Sequence, residues 1–272
     1  MQAKMVKTAW IIFLVIGILL SNAHLKGDNA PPLVRAPEFV PPPPSPVPSM
    51  TLQEIREMIA RNNFGYTVSD TWVFNMSPAE IAYLMGYRPP PMDLSHLNVE
   101  SQNAVQALPQ QLPSVYDYRT LGMVTPPKSQ GSCGSCWCFG SVGSVESRVL
   151  FESGPEYDIS EENILSCNFY GAGCSGGDDF IVANYLTKFG ASLEVCAPYD
   201  AADGTPCRDC TYLRKLCGWK IIGTGLDTEN TADIDIVKHA LTDYGPLFVT
   251  MYASDPAFSA YSGGVYEYWG SG

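Results

Sequence analysis

The stretch Gln130-Gly131-Ser132-Cys133-Gly134-Ser135-Cys136-Trp137 places a sulfur nucleophile a few residues after a side-chain amide. Trp137, Phe139, Val142, Val145 and Val149 follow at spacings of roughly three and four, an apolar stripe that predicts a helix from Cys136 to about Leu150. A cysteine opening a helix sits at the positive end of the helix dipole, which favours the thiolate, the form that attacks a carbonyl carbon. The turn before it is glycine-rich, so backbone amides can approach a bound carbonyl. Gln130 could donate from its side chain to the oxyanion formed there, beside the Cys136 N–H. Cys133 and Cys136 also form a CxxC, which elsewhere is a redox pair or half of a zinc site. No strand–helix redox pattern surrounds it, and the next CxxC is Cys207 and Cys210.

The elements around this stretch are those of an ordinary globular chain. It has 272 residues, 46% of them hydrophobic and 16% charged, enough to bury a real core. A net charge of −12 argues against nucleic acid or an anionic membrane as partner. All nine cysteines lie between Cys133 and Cys217, which suggests structural disulfides formed in an oxidising compartment. The odd count leaves at least one thiol unpaired, as a catalytic cysteine would be.

Residues 1–23 read as a secretory signal peptide: Lys4 and Lys7 precede the apolar run Ala9 to Leu20, and Ser21-Asn22-Ala23 supplies small residues for cleavage. The run is short for a membrane span. Residues 24–50 are a proline-rich linker, extended and stiff, from Pro31 to Pro48. From Thr51, Leu52, Ile55 and Ile59 among charges predict an amphipathic helix that Asn62 and Asn63 end, and Ser77-Pro78 starts a second that Gly86 closes. Residues 87–111 carry no periodicity and suit cleavage, placing maturation near Gln111. Ser160 caps a further helix, and another covers Phe180 to Leu186. Lys220–Gly223 and Leu247–Met251 read as strands, with a helix from Asp233 to Tyr244 between them.

Gln130 through Trp137 resembles the active-site segment of papain-family cysteine peptidases. Leu112-Pro113-Ser114-Val115-Tyr116-Asp117-Tyr118-Arg119 resembles the family's mature N-terminus, and Gly173-Cys174-Ser175-Gly176-Gly177 its cleft-lining glycine element. Tyr261-Ser262-Gly263-Gly264-Val265-Tyr266 is similar to its strand leading toward the catalytic histidine. Thr71-Trp72 and Leu84-Met85-Gly86 resemble the short propeptide of the cathepsin B-like branch.

The resemblance implies an α+β, two-lobed papain-like fold. Residues 51–111 would be propeptide and connector, 112–218 a helical left lobe carrying the nucleophile, and 219–272 a partial, sheet-rich right lobe. Cys136 would be the nucleophile and Gln130 the oxyanion donor, with Gly134, Trp137, Gly176, Gly177 and Asp178 binding substrate. Cys133 would pair with Cys174, and Cys167 with Cys207, leaving Cys138, Cys196, Cys210 and Cys217 unassigned. Asp178 and Asp179 would border the pocket for the second residue before the cut and favour a basic side chain there, unless they are only acids at a helix start. Peptide or protein substrates and the chain's own propeptide are the implied partners. No cofactor, no metal and no membrane partner after signal removal are expected, and the route is secretory, ending outside the cell or in a lysosome or vacuole.

A nucleophile of this kind needs an imidazole in hydrogen-bond reach. Papain-type spacing puts the histidine and asparagine about 130–150 residues past the cysteine. No histidine or asparagine occupies the part of that window the sequence covers, from Tyr266 to Gly272. His239 lies within a predicted helix, and His24 and His96 in segments expected to be removed. The expectation is a C-terminally incomplete cysteine peptidase precursor. A non-catalytic homologue that binds peptides or acts as a decoy is the alternative, and a disulfide-rich structural module a third class that leaves Gln130 and Trp137 unexplained. No histidine pair follows Cys196 to suggest exopeptidase action, so an endopeptidase is expected.

Overall fold

The computed structural model describes residues 14–17, 50–88, 112–222, 231–251, 253 and 255–268. Its main body is built on helix α3 (Cys136–Ser153), which packs against α4 (Glu161–Cys167) and α5 (Asp179–Lys188). The apolar stripe read from the sequence lies inside: Trp137, Val142, Val145 and Val149 join Ile164, Val182, Tyr185 and Leu186 in one core. Each such side chain contributes about 1.5–3 kcal/mol when removed from water. Ser160 caps α4 by accepting from the Asn163 N–H at 2.9 Å, and Asp178 caps α5 by accepting from the Ile181 N–H at 3.0 Å.

Disulfides Cys133–Cys174, Cys167–Cys207 and Cys196–Cys210 fix the loops around this body. Cys136, Cys138 and Cys217 lie outside them. Cys138, on the inner face of α3, is fully buried.

A leading segment packs on this body. Thr51 and Glu54 form a reciprocal cap at the start of α1 (Leu52–Asn62), and Asn63 ends it in the left-handed region. Strand β2 (Tyr66–Val68) then runs antiparallel to the late strand β4 (Tyr261–Gly264). Ile55 and Met58 of α1, with Tyr66 and Val68, share a core with Ala257 and Ala260, in and beside the short helix α7 (Pro256–Ser259). Helix α2 (Pro78–Leu84), capped by Ser77 and Glu80, delivers the chain to Gly86, Tyr87 and Arg88.

The remaining elements are β1 (Leu14–Gly17), β3 (Gly218–Ile221) and α6 (Thr231–Tyr244). β1 lies within the apolar run of residues 9–20 and pairs antiparallel with β3, Leu14 opposite Ile221. An open strand edge offers unpaired main-chain groups, and this segment satisfies them.

One expected strand is absent: residues 247–251 form no ladder. The alternation is there, with Phe248 buried and Val249 and Met251 about half exposed. A strand also needs a ladder with a neighbour, and among the described residues no sheet or bridge pairing includes this stretch. The other helix expectations match within a few residues, and the architecture is α+β. The maturation point near Gln111, His24 and His96 lie outside the described residues.

Candidate active site

Cys136 is the first residue of α3. The preceding Ser135 does not cap the helix with its side chain; its hydroxyl is spent on Tyr199 Oη at 2.7 Å. Tyr199 Oη in turn donates to the Gln130 carbonyl at 2.8 Å, so one phenol oxygen joins the Gln130 turn to the start of the nucleophile helix. Phe139 meets the same ring edge-on at 4.8 Å. Sequence reading missed Tyr199, because nothing in spacing announces a contact across 69 residues.

Lys128 holds the turn from the other side. Its ammonium reaches Glu146 Oε1 on α3 at 2.8 Å, Glu161 Oε1 on α4 at 2.7 Å, Asp158 Oδ1 at 3.2 Å and the Ile159 carbonyl at 2.9 Å. Both glutamates are buried, so a cation among them offsets a desolvation cost of several kcal/mol per charge.

The leading segment lies across the nucleophile. Gln130 Nε2 donates to the Leu84 carbonyl at 3.0 Å and to the Cys133 carbonyl at 2.7 Å. The Gly86, Tyr87 and Trp137 amides lie near enough to the Cys136 sulfur to favour its charged form. Gly177 donates to the Gly86 carbonyl at 3.0 Å and accepts from the Arg88 N–H at 2.8 Å, so Tyr87 forms a parallel bridge with Gly177.

Glycine is required at this crossing. A β-carbon on Gly86 would fall well inside contact distance of the Gly134 carbonyl, one on Gly134 would meet the Tyr83 carbonyl at 2.6 Å, and one on Gly177 the Trp137 indole at 2.6 Å. Gly176 adopts φ +124° and faces the Gly86 carbonyl in the same way.

Burial raises the pKa of the Cys136 sulfur above the ordinary thiol value, and the three amides and the Arg88 charge only partly oppose that. Burial thus opposes the preference for the thiolate that the helix start gives. None of these groups is an imidazole. His239 lies in α6, whose buried Ile236 and Ala240 pack with Ile222 in a separate cluster.

The expected substrate residues divide. Gly134, Gly176 and Gly177 contact the leading segment directly. Trp137 is fully buried; it backs Gly177 and donates to the Gly173 carbonyl at 3.3 Å. Asp178 turns its carboxylate to its own helix cap, and the adjacent Asp179 is the acid that meets the bound segment, accepting from Tyr87 Oη at 3.3 Å. Neither is a solvated surface acid: both are buried. Burial pushes Asp179 up to about 7 and raises Asp178 in the same direction. No group of metal-ligating side chains occurs among the described residues.

Residues 112–271 match the model of the "Papain family cysteine protease". The chain is similar to Digestive cysteine proteinase 2 of Homarus americanus, 37% identical over 158 residues, covering 55% of this chain and 46% of that protein. It is also similar to Procathepsin L of Rattus norvegicus, 33% identical over 165 residues and covering 57% and 46%. The chain thus spans about half the length of the curated relatives it matches. Among solved structures, digestive procathepsin L2 proteinase from Tenebrio molitor larval midgut superposes with a TM-score of 0.68 at 30% identity, covering 80% of this chain and 69% of that one. A recombinant stem bromelain precursor shares the fold, with a TM-score of 0.57 at 22% identity over 79% and 66% of the two chains. The cathepsins named here are of the L type, in place of the cathepsin B-like branch read from Thr71-Trp72 and Leu84-Met85-Gly86.

Proposed function

The chain belongs to the papain family of cysteine proteases, and on that premise we propose that it is a secreted cysteine peptidase zymogen whose residues 51–88 block its own cleft. Cys136 attacks the carbonyl carbon of a bound peptide and forms an acyl-enzyme, while Gln130 Nε2 and the Cys136 N–H steady the oxyanion.

The observation that carries this reading is the grip of Gln130 on a main-chain carbonyl of the leading segment, that of Leu84. The site holds peptide backbone in the place where an oxyanion would develop. The blocking segment is spared because the sulfur faces the Gly86 and Tyr87 amides, while the carbonyl held by Gln130 belongs to a residue earlier in the chain.

In this reading residues 1–23 are a signal peptide, 24–50 a linker and 51–111 the propeptide and its connector, and the route is secretory. Loss of 1–23 uncovers the β3 edge that β1 occupies. Endopeptidase action is the default, on peptide or protein substrates.

A second reading, a peptide-binding homologue without catalysis, is favoured by one observation: among the described residues the groups acting most on the Cys136 sulfur include no imidazole. The test is secretion of protein carrying this sequence, cleavage of its leading segment and assay on peptide substrates. Turnover that Cys136→Ala lowers about 10³-fold or more, from a mature chain starting near Leu112, is expected. Peptide binding without turnover assigns the second reading, and a mature start far from residue 112 refutes the propeptide boundary.

A further inference from the structure

Helices α1, α2, α4, α5 and α7 begin in the ordinary way: the residue before each is extended, and its side-chain oxygen accepts from an N–H of the first turn. Helix α3 does not. Ser135 precedes it at φ −102° and ψ 15°, and although serine is a favoured cap, its side chain makes no capping bond. The reason is Tyr199. Its phenol proton goes to the Gln130 carbonyl, which can only accept, so in the 2.7 Å contact with Tyr199 Oη it is the serine hydroxyl that donates. Ser135 is 0% exposed, so no water stands in for the phenol. The Cys138 and Phe139 N–H groups donate to the Ser135 carbonyl, while those of Cys136 and Trp137 find no main-chain acceptor among the described residues.

Tyr199 is itself held from three sides. Its N–H donates to Glu194 Oε1 at 2.7 Å, Phe139 of α3 lies edge-on to its ring, and the Cys196–Cys210 disulfide closes the loop on which it sits. Burial pushes the phenol up to about 12, so it keeps its proton over the range in which a thiol titrates.

We infer that Tyr199 is a positioning residue of the oxyanion site: one phenol oxygen draws the Ser135 hydroxyl away from the helix start, which leaves the Cys136 and Trp137 N–H groups for the sulfur and the substrate, and fixes the Gln130 turn beside them. Without that oxygen Ser135 is released to cap α3, as Ser77 and Ser160 cap α2 and α4. A capping oxygen takes the second or third N–H of its helix, here that of Trp137 or Cys138, and the Trp137 amide is one of those that favour the charged sulfur.

The inference rests on the reading of Cys136 and Gln130 as nucleophile and oxyanion donor, but its first test needs no turnover. The pH profile of Cys136 alkylation by iodoacetamide is followed in the full chain, with mass mapping to count the other free thiols, Cys138 and Cys217, apart. Tyr199→Phe keeps the ring against Phe139 and removes one oxygen. It should move the midpoint up by about one pH unit, the effect of a donor withdrawn from the charged form. Adding Ser135→Ala deletes the competing cap and should bring the midpoint back to that of the parent, and Ser135→Ala alone should leave it in place. A merely loosened turn would change the rate at every pH, and deleting a second hydroxyl would not cure it.

An unmoved midpoint in Tyr199→Phe overturns the inference, as does a shift that persists in the double variant. Peptide cleavage is the second arm, where Tyr199→Phe should lower kcat about tenfold with KM near that of the parent. If the midpoints follow the stated order and no peptide is cut, the positioning role stands and the peptidase reading falls. If Tyr199→Phe cuts peptides with the kcat of the parent, the positioning role falls alone.

Discussion

Two places in this molecule bury carboxylates, and they are treated differently. Around Lys128, Glu146 and Glu161 lie within 2.8 Å of a shared ammonium, which also reaches Asp158 and a carbonyl. At the start of α5, Asp178 is absorbed by the helix cap, while Asp179 beside it accepts from a phenol hydroxyl brought by the leading segment and has no ion pair among the described residues. The first arrangement is complete without any visitor and pins the approach to Gln130. The second is finished only when something docks. A buried acid with its cation built in belongs to the scaffold; one that waits for its partner belongs to the binding surface.

The contrast can be broken most forcefully at Lys128. Lys128→Met leaves Glu146 and Glu161 buried without their cation, and should lower stability by about 3–5 kcal/mol, measured by chemical denaturation. A loss under 1 kcal/mol would mean that the cluster is not structural.

The Asp179 side is sharpened by pH. Its folded-state pKa lies near 7, raised by burial from the carboxylate's ordinary 3.8. The folded state therefore holds this proton more tightly than the unfolded chain. That contribution is fully present below about pH 4 and is lost as pH rises through about 7, a matter of about 2–4 kcal/mol. Asp178 shifts in the same direction, and so does Glu161, up to about 7, where burial outweighs the pull of Lys128. Comparison with Asp179→Asn isolates the one group: the melting temperature of the parent should fall more between pH 5 and pH 8 than that of the variant. Parallel curves would place the Asp179 proton elsewhere.

The smallest effect belongs to the acid already spoken for. Asp178→Ala should cost about 1 kcal/mol, the ordinary value of a lost helix cap, and leave the rate of Cys136 alkylation unchanged. A change in that rate as large as the one Asp179→Leu produces would erase the division of labour between the two neighbours.

That division was not legible in the sequence. Adjacent acids at a helix start look alike there, and which one caps depends on where the first turn begins; the helix starts at Asp179, one residue before the expected Phe180. The helices themselves were readable, because Ser160, Ser77 and Thr51 stand before apolar residues at helical spacing. Cys136 and Gln130 were readable from the local motif, since both functions lie within a few residues of each other. Tyr199 and Lys128 were not, because what they do is join points 18 to 69 residues apart. Gly86 was read as a helix terminator. The helix ends before it, and its missing β-carbon serves the crossing with Gly134.

That bare crossing forbids sliding. Were the blocking strand to slip by one residue in either direction, Met85 or Tyr87 would bring a β-carbon against the Gly134 carbonyl. The grip of Gln130 on Leu84 and the seat of the Tyr87 ring are thus locked in a single frame. A one-residue insertion or deletion between them would leave every residue type intact and still let the blocker hold one end or the other, never both.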